Sequence, residues 1–240
     1  MFEGERIAVL DCEIEHSPDD LATGWSNKAA LGLSVGAYHD YRTGSVTVFD
    51  RAGIVATMAH FLIPDYLIVS FNGISFDGPL MRGIVRREAA ADGSLNPLER
   101  GNREHICDSF KALMAGSYDI LAEIWRADPD SKFVKGLNGL DAILKANDLP
   151  PKTGDGALAP KLWQEGKRDE VIQYCKDDVE RTRQLFELVC KHQGLVRRTG
   201  GRDVFIPYLN DNLDLVGPQS QAEQLPLVPP PPYEGDDIPL

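Results

Sequence analysis

Basic charge is in short supply in this 240-residue sequence: 25 Lys and Arg stand against 37 Asp and Glu, a formal net charge of −12. That balance counts against a general polyanion binder. Cysteine is scarce as well. Cys12, Cys107, Cys175 and Cys190 are widely spaced, with no Cys-x-x-Cys pair. This argues against a thiolate zinc site and for reduced, mostly buried thiols in a cytoplasmic protein. No apolar run is long enough to span a bilayer, and residues 1–20 lack a basic stretch followed by an apolar one. The expectation is a soluble protein with no membrane association and no export signal. Internal repeats are absent, which leaves solenoid architectures aside.

What is present suffices for one sizeable core: 42% of the residues are hydrophobic. The division expected is a domain over residues 1–200, a short extension over 201–216 and a tail over 217–240. The tail holds seven prolines and four acids (Glu223, Glu234, Asp236, Asp237), with no Lys or Arg. Such a composition favours an extended or disordered segment. Its Pro230-Pro231-Pro232-Tyr233 run is a candidate docking site for a protein partner. Basic residues gather in three places: Arg82, Arg86 and Arg87; Arg100 and Arg103; and Arg197, Arg198 and Arg202. Each group is either part of a nucleic-acid path or an ordinary solvated surface.

Ile7–Ile14 (IAVLDCEI) reads as a buried strand. Side chains alternate along a strand, so Asp11 and Glu13 share one face while Ala8, Leu10, Cys12 and Ile14 share the other. Two neighbouring carboxylates in an apolar strand are costly unless a cation neutralises them. Carboxylate oxygens suit Mg²⁺ or Mn²⁺.

Further strands are expected at 29–38, 45–49, 66–71 and, as the fifth, at His105–Phe110. Helices are expected at 54–61, 80–91 (entered through Asp77-Gly78-Pro79), 119–125, 137–146 and 168–193. Residues 92–105 read as a loop, and 149–160 as a Gly/Pro-rich excursion. The long final helix carries its apolar stripe through Val171, Cys175, Val179, Thr182, Phe186 and Val189, and Gly194 ends it. Strands followed by alternating helices and strands argue for an α/β fold with a mixed sheet.

Two more acidic motifs accompany the first strand. Asn72-Gly-Ile-Ser-Phe76-Asp77 follows the central strand, where α/β sheets gather their sites. Asp77 also suits a helix N-cap. Tyr174 and Asp178 stand four residues apart in the last helix, hence on one face, with Asp178 at the edge of the apolar stripe. Each pattern alone recurs by chance: Asp-x-Glu again at Asp178–Glu180, and Tyr-x-x-x-Asp again at Tyr233–Asp237. Their order and context are specific.

Together the three motifs resemble those of the tyrosine-bearing DEDD (DEDDy) 3′–5′ exonucleases of the RNase H-like superfamily. The likeness is to the proofreading exonuclease domain of family B DNA polymerases and small stand-alone relatives, and it spans roughly residues 5–195. The resemblance implies an RNase H-like five-stranded mixed sheet flanked by helices. It implies two divalent metal ions, Mg²⁺ or Mn²⁺, held by Asp11, Glu13, Asp77 and Asp178, with Tyr174 positioning the attacking water. Asn72 and Phe76 would shape the pocket for the 3′-terminal nucleotides. The activity implied is 3′–5′ hydrolysis of single-stranded DNA or RNA, with DNA favoured. Phe71, Phe76, Phe110 and Trp125 are candidates for stacking on bases, although aromatics serve more often in cores. The competing expectation is a non-catalytic RNase H-like module that binds nucleic acid or a polymerase and docks through its proline-rich tail.

Overall fold

A computed structural model describes residues 2–62, 66–152, 154 and 156–217. Strand β1 (Ile7–Ile14) is followed by two short 3₁₀ turns and the single-turn helix α1 (Lys28–Leu31). β2 (Leu33–Asp40) and β3 (Ser45–Phe49) form a hairpin, then come α2 (Ile54–Leu62), β4 (Leu67–Ser70), α3 (Asp77–Ala91) and α4 (Pro97–Ala115). After β5 (Tyr118–Asp119) the chain runs through α5 (Ile120–Ala127), α6 (Leu140–Ala146), α7 (Ala159–Gln164) and α8 (Arg168–Lys191). Two small hairpins close the described chain: β6 (Leu195–Val196) with β7 (Val204–Phe205), and β8 (Tyr208–Leu209) with β9 (Leu215–Val216).

The main sheet has five strands in the order β3-β2-β1-β4-β5. β1 pairs antiparallel with β2 and parallel with β4, which pairs parallel with β5. Helices cover both faces, and the whole is an α/β arrangement consistent with an RNase H-like fold. β1 lies in the middle, and its alternation divides the core. Ala8, Leu10, Cys12 and Ile14 join a cluster with Ile54, Met58, Leu80, Ile84 and Phe110 of α2, α3 and α4. Ile7 and Val9 join the opposite cluster, built with Ile124, Ile143, Val171, Cys175 and Val179 of α5, α6 and α8. Asp11 and Glu13 continue the α8-facing row.

The structure departs from the sequence reading in several places. Residues 97–105 and His105–Phe110 are neither a loop nor a strand: they belong to the 19-residue helix α4, and the expected loop is confined to 92–96. Asn96 and Glu99 form a capping box at its start and Pro97 occupies its first turn, so a polar stretch is a helix entrance. Cys107, Phe110 and Met114 are its buried residues, at spacings of three and four. The fifth strand is instead Tyr118–Asp119, paired with Val69 and Ser70. The expected strand at 29–38 begins later. Lys28–Leu31 makes one helical turn, and Gly32, at φ +68°, turns the chain into β2. Residues 159–164, the end of the expected excursion and beyond, form α7.

Position 200 falls inside the β6–β7 hairpin, whose Val196 and Val204 are buried in the main core together with Ile206, Tyr208 and Leu209. The extension over 201–216 therefore packs as part of the domain. Apart from Gly217, the proline-rich tail and its Pro-Pro-Pro-Tyr run lie outside the described residues. Among the described residues, no helix is long and apolar enough to cross a membrane.

Candidate metal centre

β1 and α8 build the site between them. Asp11, Glu13 and Asp178 bring one carboxylate oxygen each to within 4.8 Å of one another. Glu13 and Asp178 are buried, and Asp11 is partly exposed. Asp178 faces inward because it stands one turn beyond Tyr174 on the side of α8 that packs on the sheet, and Tyr174 is buried too. Oδ1 of Asp178 and the Tyr174 hydroxyl have no hydrogen-bond partner among the described residues. The hydroxyl lies close enough to Asp178 to feel its charge without making a hydrogen bond of good geometry.

The electrostatics follow from burial and crowding. Desolvation, then the charges of Glu13, Asp77 and Asp178, push the Asp11 carboxyl well above the usual carboxylate range. Desolvation and Asp178 raise Glu13 to about 8. Burial also raises Asp178, against the pull of Lys152. The Tyr174 phenol is driven upward by burial and by the charges of Asp178 and Glu13, which makes it a poor base.

Asp77 is nearby but faces elsewhere. It opens α3, which packs on the opposite face of the sheet, and its carboxylate lies against Cys12, on the far side of β1 from Asp11 and Glu13. It is buried, and its Oδ1 lacks a partner among the described residues. Desolvation and the charge of Asp119 lift it to about 7. The structure thus gathers three of the four expected carboxylates into one cluster and sets the fourth beside it, electrostatically coupled to Asp11.

The loop that presents Asp77 is held tightly. Asn72 adopts φ +73°, and its backbone N–H donates to Asp119 Oδ1 at 2.9 Å. The Ile74 N–H donates to Asp119 Oδ2 at 2.9 Å. Asp119 also caps α5 by accepting from Leu121 and Ala122. At Gly73 an added Cβ would come within 2.5 Å of Ser70 Oγ, so only glycine lets the turn approach the strand. Phe76 precedes the first turn of α3, its ring edge-on to Trp25 with centroids 6.0 Å apart. Of the other stacking candidates, Phe110 is fully buried in the cluster with α2 and α3, Phe71 packs against the opposite cluster, and Trp125 carries the Lys132 ammonium 5.4 Å over its ring.

Lys152 is the functional residue that sequence reasoning missed. Its Nζ lies 2.5 Å from Asp178 Oδ2 and 5.1 Å over the Tyr174 ring. Its backbone N–H donates to Asp141 at 3.2 Å, and the preceding carbonyl of Pro151 accepts from Arg181 Nε at 3.2 Å. Burial alone would lower the ammonium, but Asp178, Asp11 and Glu13 outweigh it and hold Lys152 above its ordinary value. Gly154 and Gly156 continue this segment along Tyr174, where a Cβ on either would stand 3.1 Å from the tyrosine. Only a lysine in a Gly/Pro-rich stretch marked the place in the sequence.

Several arginines of the three basic groups are committed inside the protein. Arg100 donates to the carbonyls of Ala89, Asp92 and Leu95, tying α4 to the end of α3. Arg86 bridges Glu104 and Asp108. Arg198 is buried on Asp128 and Asn138, and Arg202 also pairs with Asp128. These arginines hold elements together.

The donor set fits a hard divalent cation: three converging carboxylates, with Asp178 Oδ1 lacking a hydrogen-bond partner among the described residues, and no thiolate or imidazole among the ligand atoms. The acidic triad could therefore bind a metal ion. No protein-family model matches the chain, and no curated protein matches it in sequence.

Proposed function

We propose that this protein is a metal-dependent 3′–5′ exonuclease acting on single-stranded nucleic acid, DNA in preference to RNA, in the cytoplasm. The observation that carries the reading is the meeting of Asp11, Glu13 and Asp178 within 4.8 Å beside the buried Tyr174 hydroxyl. An Asp-x-Glu pair facing a Tyr-x-x-x-Asp helix is difficult to explain as scaffolding, since it crowds three carboxylates around the Lys152 ammonium.

In this reading Asp11, Glu13 and Asp178 would hold two divalent ions, Mg²⁺ or Mn²⁺, and Asp77, which lies beside them against Cys12, would complete the set on binding. Such ions, when bound, would supply acidity to a water and neutralise charge on the leaving 3′ oxygen. The residues of the chain supply position. Tyr174, with its proton held firmly, orients the attacking water as a hydrogen-bond donor or acceptor. Asn72 and Phe76 line the approach of the terminal nucleotide, and the free 3′ end is what that approach admits. The carboxylates that repel phosphate in the metal-free protein become its anchor once neutralised, so a net charge of −12 is compatible with the reaction.

The test is a gel assay on 5′-labelled single-stranded DNA and RNA with Mg²⁺, Mn²⁺ or EDTA, comparing wild type with Asp178→Ala. The expected result is a metal-dependent ladder shortening from the 3′ end, absent in the variant and stronger on DNA. No cleavage of either polymer with either metal would overturn the enzyme reading and favour a non-catalytic binding module.

A further inference from the structure

The substrate reading leaves open how a strand is held upstream of its 3′ end. One concavity on the protein has the right character. It encloses about 250 Å³ between the segment before β2 and the start of α3, and is lined by Ser26, Asn27, Lys28, Pro79, Arg82 and Arg86. Among these, Arg86 spends its charge on Glu104 and Asp108. Arg82 does not. Its Nε is buried and has no hydrogen-bond partner among the described residues. Burial and the neighbouring Arg86 lower its pKa, the opposite of what a carboxylate partner would do. A half-buried guanidinium that lines a cavity and makes no salt bridge among the described residues suits an anion with planar or forked acceptors.

One contact joins this cavity to the loop that presents Asp77. Trp25 stands beside the cavity, 37% exposed, with its ring against Phe76 and the Lys28 ammonium 5.3 Å from its centroid. Flat exposed aromatics next to cations are how proteins hold single strands without reading sequence.

We infer that the Trp25–Arg82 concavity is the path of the single strand leaving the metal centre, with a phosphate on Arg82 and a base on Trp25. An acidic peptide would use the cations but leave the aromatic idle, so nucleic acid is the better occupant. The strand's direction rests on the exonuclease reading, and its binding does not.

The experiment is fluorescence anisotropy of a labelled oligo-dT in EDTA, so that no cleavage enters. Arg82→Ala and Trp25→Ala should each weaken binding about tenfold, and Arg82→Ala should lower the salt slope by about one ion. Arg82→Lys should restore part of the affinity and the slope, which separates charge from folding. Unchanged affinity in both alanine variants, with their thermal melts intact, overturns the path. So does poly-glutamate competing as well as oligo-dT with no dependence on Trp25, which would make the cavity an acidic-peptide site. Arg82-dependent binding without cleavage under any metal would instead sink the exonuclease reading alone. Cleavage with Arg82-independent binding would sink the path alone.

Discussion

Replacing Lys152 tests how the metal-free protein tolerates its acidic centre. The ammonium is about one-fifth exposed and the carboxylate of Asp178 is 4% exposed, at 2.5 Å. Breaking a buried ion pair by removing one partner leaves an uncompensated charge, ordinarily at a cost of about 3–5 kcal/mol. Two circumstances reduce this. Water reaches Lys152, and burial has already moved Asp178 towards its protonated form, so losing the lysine lets it take up a proton rather than remain charged. Lys152→Met should therefore destabilise the metal-free protein by about 2–3 kcal/mol, a fall in Tm of roughly 5–10 °C for a domain of this size. Thermal melts in EDTA at neutral pH measure it. The same melts with millimolar Mg²⁺ or Mn²⁺ should bring the variant to within about 2 °C of wild type, because the ion takes over the neutralising role. An equal loss with and without metal would show that Lys152 contributes packing over Tyr174 and no charge balance. A variant more stable than wild type in EDTA would refute the reasoning outright.

Other outcomes follow from the same geometry. Glu13 rises from an ordinary value near 4.5 to about 8, and Asp77 from near 3.8 to about 7, so the folded metal-free protein holds protons that the unfolded chain releases. Stability in EDTA should fall as pH rises from about 4 to 8, and saturating Mg²⁺ should flatten that slope; a Tm that climbs across this window would contradict it. Tyr174→Phe should lower the proposed exonuclease rate by about tenfold to a hundredfold while leaving metal affinity by calorimetry unchanged, as expected of a positioning hydroxyl. Asp119→Ala removes the acceptor for the Asn72 and Ile74 N–H groups and the cap of α5, and should cost about 3 kcal/mol in urea titration. Gly73→Ala, pressed on the fully buried Ser70, should cost about 1–3 kcal/mol by the same measurement.

Local periodicity made the two halves of the site legible before any fold was known. Alternation in Ile7–Ile14 put Asp11 and Glu13 on one face, and the 3.6-residue repeat of α8 put Tyr174 and Asp178 on another. The β1–β2–β3 meander and the helix opening at Asp77 were legible for the same reason. Helix α4 was not, because its first turns are polar and its capping box is a weaker signal than an apolar stripe. Nor was β5, since two residues carry no periodicity at all.

By itself the sequence determined which side chains share a face within each element, because backbone geometry imposes those periods whatever the surroundings. Only the tertiary structure decided which faces meet. The parallel pairing of β1 with β4 and the packing of α8 on the sheet brought Asp178 to Asp11 and Glu13. Placement of α3 on the other layer turned Asp77 towards Cys12. The segment pinned by Asp141 and Arg181 delivered Lys152 to a carboxylate 26 positions away. Such meetings depend on the burial of two separate apolar clusters around one strand, a long-range balance that no local window of residues contains.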